Sequence, residues 1–309
     1  MTKKIIPIVL LFLSFTSLAS ANEEYREKMR DLIREIRANT TNDRIIITQN
    51  GSEVYFKNGE PDQNFLPYVN GASQESLFYG KEGKLGKKTS NKERDSLLKN
   101  LIQIKSSGKT VLDVNYSKNK NNRKNIEEEN KKYGFIGEEI PSFTADVLNV
   151  PIKAFNKKDI YSLEDAENFL YLLNPHKFKD VDEYFRILSN TDYDVLIIEP
   201  SFNGIFFTKE QIRKLKYKST GERRLVIAYF SIGEAENYRD YWKPEWNKKL
   251  PSWMETENKN WEGNFIIKYW SDEWRNIIKT YQLKLDYIGV DGYYLDTIDS
   301  FYYFENKES

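Results

Sequence analysis

The chain has no cysteine and a single histidine, His176. Without cysteine, disulfides cannot hold the fold, and thiol-based metal or redox chemistry is excluded. One histidine disfavours histidine-triad catalysis and multi-histidine metal sites. Net charge is missing too: Lys plus Arg and Asp plus Glu both number 47, so no global field favours nucleic acid or an acidic surface. No run is long and apolar enough to span a bilayer. The stretch from Ile5 to Leu18 falls short of the ~20 residues a span needs, and Ser14, Thr16 and Ser17 dilute it. Carboxylates, tyrosines and lysines are left to do any acid–base work.

The first residues carry their own pattern. Lys3 and Lys4 precede the apolar stretch, and Ala19-Ser20-Ala21 follows it. A basic start, a short apolar centre and small residues at the cleavage positions read as a secretory signal over residues 1–21, cut after Ala21. No cysteine follows, so the lipoprotein version is excluded. The expectation is a secreted or periplasmic monomer, free of the membrane after cleavage, in which residues 22–309 form one catalytic domain of the size of an α/β barrel.

Eight short β-rich runs recur: Arg44–Gln49, Val69–Gln74, Thr110–Asn115, Asn168–Leu173, Asp194–Ile198, Arg224–Phe230, Asn264–Tyr269 and Val290–Leu295. Several are almost wholly apolar, as parallel strands buried on both faces must be. Helical stripes lie between them, including Tyr25/Met29/Leu32/Ile33/Ile36, Leu97/Leu98/Leu101/Ile102, Val181/Tyr184/Phe185/Leu188, Ile212/Leu215 and Trp274/Ile277/Ile278/Tyr281. Strand and helix in alternation predict an α/β fold, and eight strands at this length predict a closed TIM (β/α)8 barrel. Lys118–Lys132 reads as a solvated helix or loop, and residues 134–160 as a covering loop without period.

Catalytic groups of such a barrel come from the C-terminal strand ends. The polar residues there are Asn50, Glu75, Asp113 with Tyr116, Asn174, Glu199, Ser231 with Glu234 and Glu236, Tyr269 with Trp270, and Asp296 with Asp299. A rim with several acids and few bases suits glycoside hydrolysis, which needs one carboxyl protonated and one ionised. Aromatic residues make up 15% of the chain, and all six tryptophans fall between Trp242 and Trp274; aromatic faces stack on sugar rings as readily as they pack cores. In GVDGYYLDTID (289–299), alternation puts Tyr294 and Asp296 on one face and Asp291 and Tyr293 on the other. Asp291 reads as structural and Asp296 as catalytic. A calcium loop from Asp291, Asp296 and Asp299 would need more closely spaced ligands.

Taken together, SIGEAENYRDYW (231–242), WEGNFIIKYW (261–270) and GVDGYYLDTID resemble the endo-α-1,4-polygalactosaminidase family, glycoside hydrolase family 114. The resemblance implies a TIM barrel that cleaves α-1,4-linked galactosamine-rich exopolysaccharide without a metal or other cofactor. The family's catalytic Asp ends the fifth barrel strand and matches Asp296; its Glu ends the seventh. VNGASQESLFYG (69–80) is similar to that seventh strand, with Glu75 as the acid, while RIIITQNG (44–51) looks like the sixth and GKTVLDVNYS (108–117) like the eighth. The implied barrel is therefore circularly permuted, its strands following one another along the chain in the order 6-7-8-1-2-3-4-5. FYYFENKES and the start of the mature chain, NEEYREKMRDLIREIRA, would meet around the fifth helix.

On this reading Asp296 is the nucleophile and Glu75 the general acid/base of a retaining hydrolysis, with the roles open to exchange. Glu75 is expected in a buried, partly apolar site near Leu77 and Phe78. Glu199, Glu234, Glu236 and Arg239 are expected to bind substrate, joined by Asn50 and Tyr116, with Tyr229, Tyr269 and Trp270 as ring platforms. Two other classes compete: a non-catalytic polysaccharide-binding protein on the same barrel, and a metal-dependent hydrolase using the acid cluster.

Overall fold

In the computed structural model, which describes residues 10–41, 43–148 and 155–307 (10–22 by their helical backbone alone), the run IIITQ becomes the first barrel strand, β1 (Ile45–Gln49). Seven more follow in chain order: β2 (Gly71–Glu75), β3 (Thr110–Tyr116), β4 (Ile136–Ile140), β5 (Phe169–Leu172), β6 (Val195–Ile198), β7 (Leu225–Ser231) and β8 (Gly292–Asp296). Every ladder between them is parallel, and sequence neighbours pair with one another except at one junction. β8 runs beside both β7 and β1, with Ile45–Thr48 in register with Gly292–Leu295. Only β4 and β5 lack a ladder; a hydrogen bond from Phe169 N–H to the Glu138 carboxylate (3.4 Å) joins them. The result is a nearly closed eight-stranded TIM barrel.

Alternation along each strand sorts the core into two shells. Ile45, Ile47, Leu112, Val114, Tyr116, Tyr171, Ile197, Ile227, Tyr229 and Tyr294 fill the barrel interior. Ile46, Val111, Leu196, Val226, Phe230, Tyr293 and Leu295 point outward and pack under the helices. Those helices, beginning with α1 (Leu10–Ala38), α2 (Asn91–Ser106) and α3 (Lys120–Tyr133), start and stop on local signals. Asp180 caps helix α4 (Val181–Ser189) by accepting from Glu183 N–H, and Thr208 with Gln211 forms a capping box on α5 (Lys209–Leu215). Gly289, at φ 87°, ends α6 (Asp272–Ile288) just before β8.

The long first helix, Leu10–Ala38, crosses between β8 and β1 on the outside of the barrel. Its Tyr25 ring stacks on Phe304 of the short C-terminal helix Phe301–Lys307, and Arg26 pairs with Glu305 at 2.7 Å. The two ends of the described chain therefore share one face. The signal expected at residues 1–21 lies partly outside the described residues and otherwise on backbone alone. No helix among the described residues is long and apolar enough to cross a membrane.

Two expectations from sequence need correction. Residues 134–160 are not merely a covering loop, because Ile136–Ile140 within them is barrel strand β4. Asn264–Tyr269 is not a barrel strand. Asn264–Ile267 sits in a small antiparallel sheet between Glu234–Glu236 and Met254–Glu257, an excursion between β7 and α6.

Candidate active site

The C-terminal strand ends surround a pocket of about 680 Å³, and Glu75 and Asp296 line it together. They stand on β2 and β8, separated by β1, with Ser73 and Glu75 sharing one face of β2 and Tyr294 and Asp296 one face of β8. The buried Tyr294 hydroxyl donates to Ser73 across the barrel interior at 2.8 Å. Three donors converge on the Glu75 carboxylate. The Tyr116 hydroxyl from β3 and the Tyr171 hydroxyl from β5 reach Oε1, the latter at 3.2 Å, and Asn50 Nδ2 reaches Oε2 at 3.1 Å. Asn50 Oδ1 also accepts from the Glu75 N–H at 3.0 Å, so one side chain fixes both ends of that residue.

Asp296 sits in different surroundings. Burial, followed by the charge of Glu75, pushes its carboxyl well above the ordinary range, against opposing bonds from the Thr297 N–H and the Tyr229 hydroxyl. Asp299, also on the pocket wall, is raised to about 7 by burial and by Glu234 and Glu75. The backbone here is strained in a consistent way: Asn50, Ser76 and Thr297, each at or just after a rim carboxylate or its clamp, hold φ of 57°, 54° and 61°. For the β-branched Thr297 such a conformation costs ~1–3 kcal/mol and persists only where the surroundings impose it. Its hydroxyl donates to the Asp296 carbonyl (2.6 Å) and accepts from Gly233 N–H (2.8 Å), and its own N–H donates to Asp296 Oδ1 (2.7 Å). Gly233 is required at that contact, since a Cβ there would lie 2.0 Å from the Thr297 carbonyl oxygen.

The remaining predicted binding residues divide into three groups. Arg239 is locked between Glu199 (2.8 Å) and Glu236 (2.6 Å), receives no further acid, and packs among the rings of Tyr229, Tyr238 and Tyr281. Glu236 lies behind the wall, accepting from Tyr229 (3.1 Å) and Tyr238 (2.5 Å), while Glu199, Tyr229 and Arg239 reach the pocket. Burial raises the Glu199 carboxyl despite Arg239. Glu234 faces the pocket, held by Asn258 Nδ2 at 2.8 Å, with its carboxyl raised by burial. Tyr269 and Trp270 are elsewhere. Tyr269 bonds the Tyr25 carbonyl (2.8 Å), and both rings pack on Phe304 outside the barrel, so they cannot serve as platforms. Leu77 and Phe78 likewise join the outer core, so the partly apolar surroundings expected of Glu75 come from the rings of Tyr116 and Tyr171 rather than from them.

The tryptophan cluster is mostly structural. Trp242, Trp246, Trp253 and Trp274 make a chain of ring contacts under the antiparallel excursion. Trp261 and Phe143, which sequence reasoning did not single out, line the pocket. Among the described residues no group of three or more acids and histidines is arranged to hold a metal.

Residues 157–309 match the model of glycoside-hydrolase family GH114. An uncharacterized protein of Methanocaldococcus jannaschii is 36% identical over 174 residues, 52% of this chain and 48% of that one. Another, of Thermotoga maritima, is 34% identical over 123 residues, 39% of this chain and 37% of its own. The chain thus spans about half or less of the length of these relatives. The crystal structure of Aspergillus fumigatus Ega3 in complex with galactosamine aligns over 36% of this chain and 39% of that one, at 27% identity and a TM-score of 0.27. Through residues 157–309, the chain belongs to glycoside-hydrolase family GH114.

Proposed function

We propose that the protein is a secreted glycoside hydrolase that cleaves an α-1,4-linked, galactosamine-rich polysaccharide with the carboxyl pair Asp296 and Glu75. The observation that carries this reading is their placement: two acids from strands on either side of β1 line one pocket, and after burial the charge of Glu75 raises Asp296. A hydrolase needs one such group protonated and one ionised.

The environments favour exchanging the roles first drawn from the sequence. Asp296, raised by burial, holds the proton and delivers it to the departing glycosidic oxygen. Glu75, oriented by Tyr116, Tyr171 and Asn50, attacks the anomeric carbon and forms a glycosyl ester. Water then hydrolyses the ester while the Asp296 carboxylate takes its proton, so the anomeric configuration is retained. An amino sugar suits the wall: Glu234, Asp296 and Asp299 lie there, and its one arginine, Arg239, is already neutralised by two glutamates. A cationic ring meets acceptors there and, among the described lining residues, no lysine and no unpaired arginine.

The barrel is also proposed to be circularly permuted relative to its family. Any closed barrel pairs its last strand with its first, so the β1–β8 ladder alone does not distinguish the order. Support comes from the family match, which begins at residue 157 and leaves β1–β4 unmatched, and from the likeness of residues 69–80 to a later family strand. The test is azide rescue of Glu75→Ala and Asp296→Ala acting on an activated galactosaminide. Glu75→Ala should release the inverted glycosyl azide and Asp296→Ala the retained one; wild-type-level turnover in both variants would leave only a non-catalytic glycan-binding protein.

A further inference from the structure

The excursion between β7 and α6 reaches across the pocket mouth, and its tip carries Trp261. That indole stacks on Phe143, from the loop after β4, with ring centroids 5.9 Å apart and planes 8° from parallel. Phe143 in turn leans on Tyr116 at 4.7 Å, the ring whose hydroxyl holds Glu75. One face of Trp261 is thus covered by Phe143, yet the residue remains 47% exposed and lines the pocket. Exposed to this extent on a pocket wall, the ring offers apolar surface that a ligand in the cleft would cover.

The platform is built, not draped. Asn264 N–H closes the turn onto the Trp261 carbonyl (3.1 Å), Trp261 N–H bonds the Asn258 carbonyl (3.1 Å), and Gly263 N–H reaches Glu257 Oε1 (2.8 Å). Asn258 is tied to Glu234 at 2.8 Å, and Asn237 N–H to the Gly263 carbonyl at 2.8 Å. Gly263, at φ +82°, makes the turn possible, with Asn237 only 2.6 Å from where a Cβ would sit. Glu262 and Asn260 beside the indole also line the pocket, supplying acceptors around the edge of a bound ring.

We infer that Trp261, backed by Phe143, is the wall of a second sugar subsite, stacking the apolar face of a pyranose that adjoins the ring held between Glu75 and Asp296. The inference rests on the hydrolase reading and deepens it, because the platform stands two ring contacts away from Glu75. It makes the cleft one that grips a chain rather than a single sugar.

The experiment uses the full-length protein carrying Glu75→Gln, titrated by calorimetry with galactosamine and with an α-1,4-linked galactosamine hexasaccharide. Adding Trp261→Ala should weaken the hexasaccharide about tenfold, in the range of one lost ring stack, and leave the monosaccharide little changed. Trp261→Phe should keep most of the affinity, and circular dichroism should be the same for all. Equal hexasaccharide affinity with and without the indole, in a protein that still binds it, overturns the subsite alone. Failure of the Glu75→Gln protein to bind either sugar overturns the proposed glycan, and the subsite with it.

Discussion

The hydroxyl of Tyr116 donates to the Glu75 carboxylate from the neighbouring strand, the in-register partner of Glu75 being Val114, two residues earlier. A hydrogen bond to a charged group contributes about 1.5–3 kcal/mol. Tyr116→Phe keeps the ring in its buried slot against Phe143 and removes only this donor. We expect kcat/KM to fall roughly ten- to a hundredfold, measured by release of reducing ends, with far-UV circular dichroism unchanged. An unaltered kcat/KM would mean that Tyr171 and Asn50 suffice to hold Glu75.

Neutral isosteres at the pair should be far more damaging. Glu75→Gln and Asp296→Asn are each expected to lower kcat by about 10²–10⁴, the usual worth of a positioned acid or base, while far-UV circular dichroism is unchanged. Full activity in either variant would move the chemistry to Asp299 or Glu234.

Arg239 presents a stability question before a catalytic one. Its side chain and those of Glu199 and Glu236 are almost entirely buried, so removal of the cation strands two acids. Arg239→Ala should cost about 3–5 kcal/mol, as breaking a buried pair from one side does. Arg239→Lys should recover part of that, because it restores charge without the two-pronged geometry. Urea midpoints of the purified variants decide the matter; a shift within 0.5 kcal/mol (about the level of an exposed pair) would show the cluster contributes little.

Asp113 makes a pH prediction away from the pocket. Burial lifts its carboxyl to about 7, although Asn130 and Asn115 amides oppose the rise. Because the folded value lies above the unfolded one, the associated stability is complete below about pH 4 and is lost as pH climbs through about 7. Asp113→Asn should flatten that part of the decline, by on the order of a few kcal/mol at most. Urea unfolding at pH 5 and pH 8 tests it: the variant should gain on the wild type at the higher pH. Parallel curves would show that Asp113 ionises as freely in the fold as outside it.

Which parts were legible in the sequence follows from what each residue does. The runs IIIT, VLII and LVIAYF announce strands because both of their faces are buried. β4 hides: its sequence IGEEI carries two acids, and a buried strand with acids looks like a loop until its partners are known. Those partners are distant in sequence or on another element. Glu139 is paired with Arg123 at 2.6 Å, and Gly137 is small because Asn130 would lie 2.0 Å from a Cβ there. The misplaced Asn264–Tyr269 shows the converse, since a short alternating run has the same pattern in an antiparallel hairpin as in a barrel. Asp296 was readable because it closes the apolar strand GYYL, whereas Glu75, behind the small and polar run GASQ, was readable only through the likeness of residues 69–80 to a family strand. Trp261 and Phe143 were not, for nothing local marks which of several aromatic residues will face a cavity assembled from two remote loops.

The ladder from Ile45–Thr48 to Gly292–Leu295 also has a bearing on how the protein comes to be folded. While the eighth strand is undocked the backbone edge of β1 lies open, and such edges invite pairing with other chains. Hydrolytic competence would then appear last and all at once, making turnover a direct reporter of ring closure during refolding.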